Sequence, residues 1–304
     1  MINPGWVDLQ VNGHNGVDYS QEGLTVEKFA KSIEELHATG TAIIVPTIIT
    51  SPFDLIQKHT DIILEAVSKY GLQDIVPGVH LEGPMISPEP GAVGAHNPAY
   101  VAEATAENVE ELYKRTSKFV KIITIAAEYP KAPEAIKKGV ELGIHMSVGH
   151  HLADYCHVRA AADAGCELLT HLANGCPNLV GRHNNPIWSG LAEDRLTAML
   201  ITDGHHIPGD LLKVLFKVKG ADKVIVTSDA SSITGFPPGT YETLNNLAVL
   251  TPEGKLYNPE KQCLVGSAST MTMCMNFLES LEFLTEEELR KVGRDNALKL
   301  LGML

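Results

Sequence analysis

Strand-like and helix-like stretches alternate along this chain, and that alternation restricts the fold more than any other feature. Between Met146 and Gly175 the sequence MSVGHHLADYCHVRAAADAGCELLTHLANG reads as a strand ending in His150, a helix over about Asp154–Ala164, and a strand ending in His171. Tyr155, Val158, Ala161 and Ala162 fall at steps of three and four, the spacing of one helix face. So short a strand–helix–strand unit is a parallel crossover, which brings both strand C-termini to one edge of the sheet. The two histidines therefore share a rim. Imidazole nitrogen binds divalent metals well, so the pair suggests a metal site; two ordinary strand-closing histidines are the plainer alternative.

The same pattern extends over the whole chain. Trp6–Val11, Thr41–Ile49, Ile75–Leu81, Val120–Ala126, Ile144–Val148, Glu167–Leu172, Leu196–Ile201 and Lys223–Thr227 read as eight strands. Helical patterns over Thr25–Ala38, Pro52–Tyr70, Thr105–Ser117, Pro133–Glu141 and Pro208–Val218 fall between them, with Thr25 as an N-cap. This order predicts an α/β fold of the (β/α)8 TIM-barrel type, with residues 1–304 forming one catalytic domain. Ser269–Phe283 and Glu286–Leu301 read as closing helices, and Thr285 with the glutamates after it resembles a capping box. Gly235–Lys261, with its prolines and glycines, reads as an irregular excursion, either a lid or a surface loop.

Composition narrows the function. The formal charge of −13 argues against nucleic acid, since phosphate backbones need a Lys/Arg surplus. A small anionic substrate held by a local basic pocket remains compatible. The five cysteines are odd in number and show no CxxC spacing, as expected of free thiols in a reducing compartment. The opening MINPGWVDLQ is neither basic nor strongly apolar, so no signal peptide or membrane anchor is expected and the cytoplasm is the expected location.

In a barrel the chemistry sits beyond the strand C-termini. Those positions hold Gln10, Asn12, Glu82, Glu128, His150, His171, Asp203 and Asp229. Glu82, His150 and His171 make a carboxylate–His–His set suited to a catalytic zinc with an open position. Asp229 would stand beside it as proton acceptor. Taken singly, Glu82 could be a cap or salt-bridge carboxylate and Asp229 a loop aspartate.

Several motifs also resemble a known family. His80-Leu81-Glu82-Gly83-Pro84, Gly94-Ala95-His96-Asn97-Pro98, Gly149-His150, Thr170-His171-Leu172 with Asn174, Asp203-Gly204 with His206, and Ser228-Asp229-Ala230 are similar to those of N-acetylglucosamine-6-phosphate deacetylases, in the amidohydrolase superfamily. The similarity runs in the same order along almost the whole chain. It implies deacetylation of an N-acetylated amino sugar, most simply N-acetylglucosamine 6-phosphate, with one divalent metal on Glu82, His150 and His171. By the same resemblance, Asp229 would accept a proton from the attacking water and return one to the leaving amine. His96 would hydrogen-bond the acetyl carbonyl, while Asn174, Gly175, Arg182 and His206 would bind the sugar phosphate. Some of those contacts cross between subunits in the family, which implies a homodimer.

Three departures qualify the match. Gln10 and Asn12 stand where many amidohydrolases carry His-x-His for a second metal, so a single ion, zinc before iron, cobalt or manganese, is expected. The flanking segments that build a small β-sandwich in the family have no counterpart here, which reads as a barrel-only variant. The loop after Arg182, HNNPIWSG, replaces a shorter turn, and its Trp188 reads as loop packing or a sugar-stacking ring. Two alternatives stay open: the same mechanism on another N-acyl or cyclic amide, and a barrel that binds without catalysis.

Overall fold

Near-continuous runs of Val, Ile and Leu make stable strands only when both faces are covered. In the computed structural model, which describes residues 5–244 and 246–304, they are covered. Eight parallel strands pair in chain order: β1 (Trp6–Val11), β2 (Thr41–Ile49), β3 (Val79–Glu82), β4 (Val120–Ile125), β5 (His145–Val148), β6 (Leu168–Leu169), β7 (Thr197–Ile201) and β8 (Val224–Thr227). A bridge between Val11 and Ala230, with the Asp229 N–H donating to the Gln10 carbonyl at 3.0 Å, brings β8 back to β1. Seven helices follow the first seven strands: α1 (Val26–Ala38), α2 (Phe53–Tyr70), α3 (Ala106–Arg115), α4 (Ala132–Glu141), α5 (Tyr155–Asp163), α6 (Pro186–Ala192) and α7 (Gly209–Lys219). Three more, α8 (Met271–Ser280), α9 (Glu286–Arg290) and α10 (Asn296–Leu300), complete the barrel. The expected (β/α)8 architecture is present.

Strand alternation sorts the apolar residues into two layers. Ile43, Ile122, Leu168, Met199 and Ile225 meet inside the barrel, where Leu298 of α10 joins them. Ile44, Ile123, Val148, Leu200 and Val226 belong to the cluster between sheet and helices. Each fully buried aliphatic side chain of this kind contributes about 1.5–3 kcal/mol. One step further along the strands the interior turns polar. Thr124 Oγ1 lies 2.7 Å from both His80 Nε2 and Thr170 Oγ1, and Ser147 Oγ lies 2.6 Å from Thr170 Oγ1. This satisfied layer forms the floor beneath the rim.

The structure departs from the sequence reading in several places. β3 begins at Val79, because Pro77 cannot donate to the ladder. β6 stops at Leu169, because His171 turns to φ 28° and leaves the extended conformation. The loop after Arg182 contains α6, capped by Asn185 Oδ1, which accepts from the Ile187 and Trp188 N–H groups. The described residues of the excursion carry β9 (Gly239–Thr243), β10 (Asn246–Leu250) and β11 (Leu256–Asn258), and β12 (Cys263–Leu264), just past it, completes an antiparallel sheet. The last helix is interrupted over Lys291–Asp295 by a wide π turn at Gly293, where a Cβ would come within 2.8 Å of Trp6 and Met275. Among the described residues, no helix is long and apolar enough to cross a membrane.

Candidate active site

Each member of the carboxylate–His–His set stands at a strand end. Glu82 closes β3, and His150 and His171 lie two residues beyond β5 and β6. Glu82 Oε1 is 3.1 Å from His150 Nε2 and 2.8 Å from His171 Nε2, and the two nitrogens are 3.1 Å apart. All three side chains are buried. His150 Nδ1 donates to the Ala92 carbonyl at 2.7 Å, which places its proton there and aims the Nε2 lone pair at Glu82. His171 Nδ1 is buried and has no partner among the described residues. Burial works against ionisation of Glu82, but the histidines around it outweigh burial and hold its carboxyl well below the usual range. One carboxylate oxygen and two imidazole nitrogens, all within 4.8 Å of one another, fit a divalent metal of the zinc kind.

The backbone here is held where most side chains do not go. His150 has φ 49°, His171 φ 28°, Ala173 φ 77° and Asp229 φ 52°. Such conformations cost about 1–3 kcal/mol each and persist only where the surroundings enforce them. Gly175, at φ 62°, packs against the ligands: a Cβ there would lie 3.0 Å from His171 Cε1 and 3.1 Å from His150 Nδ1. Only glycine meets both demands.

Asp229 follows β8 and is pinned through its backbone. Its N–H donates to the Gln10 carbonyl at 3.0 Å, and its carbonyl accepts from the Ser267 N–H at 2.8 Å. Its Oδ1 accepts from Asn12 Nδ2 at 2.7 Å and Gln10 Nε2 at 3.1 Å. The Gln10 amide also donates to Glu82 Oε1 at 2.9 Å. Burial, followed by the charge on Glu82, pushes the Asp229 carboxyl up to about 6.

His96 comes in from the loop after β3, with Nε2 3.8 Å from Glu82 Oε2. Its Nδ1 accepts from the Thr50 N–H at 3.3 Å, so the ring proton sits on Nε2, facing the site. Burial, then the neighbouring His150, pushes His96 down to about 3, which keeps it neutral. His206 Nδ1 lies 2.8 Å from Asp203 Oδ2, and Asp203 Oδ1 also accepts from the His206 N–H.

A cavity of about 380 Å³ joins these groups: Glu82, His96, His150, His171, Asn174, Gly175, His206 and Asp229 all line it. Arg182 is placed elsewhere. It is exposed on the neighbouring loop, and among the described residues the cavity wall carries no Lys or Arg. Trp188 is half exposed, its indole N–H donates to the Arg182 carbonyl, and it is not part of the wall. Leu244 of the excursion, and Cys263 and Leu264 just beyond it, are part of it. Sequence reasoning did not find the donor roles of Gln10 and Asn12 or the support of His96 by Thr50, and it left the excursion open between a lid and a surface loop. Only the position of the two amides at a strand end hinted at the first.

A (β/α)8 barrel with a carboxylate–His–His set on its C-terminal rim and an aspartate after its eighth strand defines a metal-dependent hydrolase. No family model matches the chain. It is 31% identical over 294 residues to N-acetylglucosamine-6-phosphate deacetylase of Haemophilus influenzae, covering 95% of this chain and 74% of the relative. It is 29% identical over 273 residues to N-acetylgalactosamine-6-phosphate deacetylase of a Shewanella strain, covering 90% and 67%. The crystal structure of the Pasteurella multocida N-acetylglucosamine-6-phosphate deacetylase matches with a TM-score of 0.86 at 28% identity, covering 98% of this chain and 76% of that one. The chain belongs to the N-acetylglucosamine-6-phosphate deacetylase family, hydrolases of amide C–N bonds. It spans about three quarters of the length of these relatives.

Proposed function

We propose that this chain hydrolyses N-acetylglucosamine 6-phosphate to glucosamine 6-phosphate and acetate. The observation that carries this reading is the convergence of Glu82, His150, His171 and Asp229 on one cavity in a chain of this family. Glu82, His150 and His171 would hold a single divalent ion, zinc in this reading, which supplies Lewis-acid polarisation and an activated water. Asp229 accepts the proton of the attacking water and passes one to the amine nitrogen as the C–N bond breaks and the new C–O bond remains in acetate. His96 donates from Nε2 to the acetyl oxygen and stabilises the charge that develops there. Asn174, Gly175 and His206, which line the cavity, would bind the sugar phosphate. Arg182, exposed and outside its own cavity wall, would serve a second copy, so the reading includes a homodimer. Five unpaired thiols suit the cytoplasm.

One observation favours a second reading. Because the described wall carries no Lys or Arg, an unphosphorylated N-acetyl sugar or another N-acyl amine also suits the cavity. Acetate release from N-acetylglucosamine 6-phosphate, N-acetylgalactosamine 6-phosphate and N-acetylglucosamine separates the readings. The first expects the highest kcat/KM on the first sugar, lost selectively for phosphorylated substrates in Arg182→Ala. Equal kcat/KM with and without phosphate would favour the second.

A further inference from the structure

Gln10 and Asn12 are 0% and 1% exposed, and each leaves its side-chain oxygen, Oε1 and Oδ1 respectively, buried without a partner among the described residues. A methionine or leucine of similar size would fill the same space and leave no oxygen unsatisfied. What the amides add is their N–H groups, and these point at charge. The Gln10 nitrogen donates to Glu82 Oε1 at 2.9 Å and to Asp229 Oδ1 at 3.1 Å. The Asn12 nitrogen donates to the same Asp229 oxygen at 2.7 Å. Turning either amide over would set its oxygen against a carboxylate, so the orientation is fixed by electrostatics. Glu82 and Asp229 thus lie two hydrogen bonds apart, and the Gln10 amino group between them offsets the repulsion of two buried carboxylates.

We infer that Gln10 and Asn12 are positioning residues: their amides clamp Asp229 by Oδ1 and tie it to Glu82, leaving Oδ2 to face the reacting water. This rests on the proposed reaction. The clamp restrains rotation about Cα–Cβ and Cβ–Cγ, the two freedoms its pinned backbone leaves. Its effect therefore falls on turnover, through Asp229, and not on substrate binding or metal retention.

The test uses zinc-loaded Gln10→Met and Asn12→Leu, which keep shape and lose the donors. Each should lower kcat on the order of 10-fold or more, with KM and one zinc per chain retained. Asn12→Ser, which keeps a short donor, should recover part of the loss. In an Asp229→Asn background, Asn12→Leu should cost nothing further, since the two effects share one path. A crystal structure of Asn12→Leu should show the Asp229 carboxylate rotated or split between two rotamers. Unchanged kcat, an equal further loss in the Asp229→Asn background, loss of zinc, or an unmoved carboxylate in that crystal would each overturn the inference. Absence of turnover by the parent on all three sugars would instead overturn the proposed reaction, and the crystal comparison would still decide the clamp.

Discussion

His150, His171 and Asp229 combine left-handed backbone angles, burial and mutual contact, and that combination makes their roles separable by mutation. His171→Ala removes a nitrogen that lies 2.8 Å from Glu82 Oε1 and should lower zinc content well below one per chain, as read by elemental analysis. Asp229→Asn keeps the shape and both backbone pins; it should retain zinc and lose turnover by a factor on the order of 10² or more. Equal activity in that variant would remove Asp229 from proton transfer. The ligands were legible in the sequence because imidazole and carboxylate at strand ends carry a chemical signature. Gln10 and Asn12 were not, because an amide signals nothing until the carboxylates facing it are known. Arg182 could not be placed from sequence, since its loop contains a helix whose cap, Asn185, lies beyond it.

At the level of elements, the eight barrel strands were legible because burial on both faces demands continuous aliphatic runs, as in Thr41–Ile49. The β9–β12 sheet was not. Its strands are two to five residues long and half exposed, and Pro252 and Gly254 between them read as loop. Yet this sheet supplies a wall of the cavity and is fastened to the loop that carries His96. Asn246 Nδ2 donates to the Ala95 carbonyl at 2.9 Å, while Lys261 Nζ donates to Asn246 Oδ1 at 2.6 Å. Asn246→Ala should therefore loosen the wall. Of the bonds this removes, the one to the His96 loop, about 1 kcal/mol, corresponds to a rise in KM of about fivefold with kcat nearly unchanged. Steady-state kinetics reading an equal fall in kcat would mean that the sheet acts on chemistry instead.

For the molecule as a whole, burial of neutral histidines makes stability fall with acid, opposed by Asp18 and Asp229, whose carboxyls burial pushes up to about 6. Burial pushes His59 and His80 down to about 4 and His151 to about 3. Because the unfolded chain takes up these protons first, their contribution is complete above about pH 6.5 and is lost as pH falls toward 4. The urea midpoint should fall between pH 7 and pH 5, and His59→Leu, on α2 rather than at the rim, should flatten that dependence. A midpoint constant over this range would contradict the assignment.

The most direct measurement is acetate release from N-acetylglucosamine 6-phosphate by protein stripped of metal and then titrated with zinc. Activity should be absent after stripping, rise linearly to a break at one zinc per chain, and fail to return in His171→Ala. Full activity in the stripped protein, or a titration that ignores His171, would contradict the metal centre on which the proposed reaction depends.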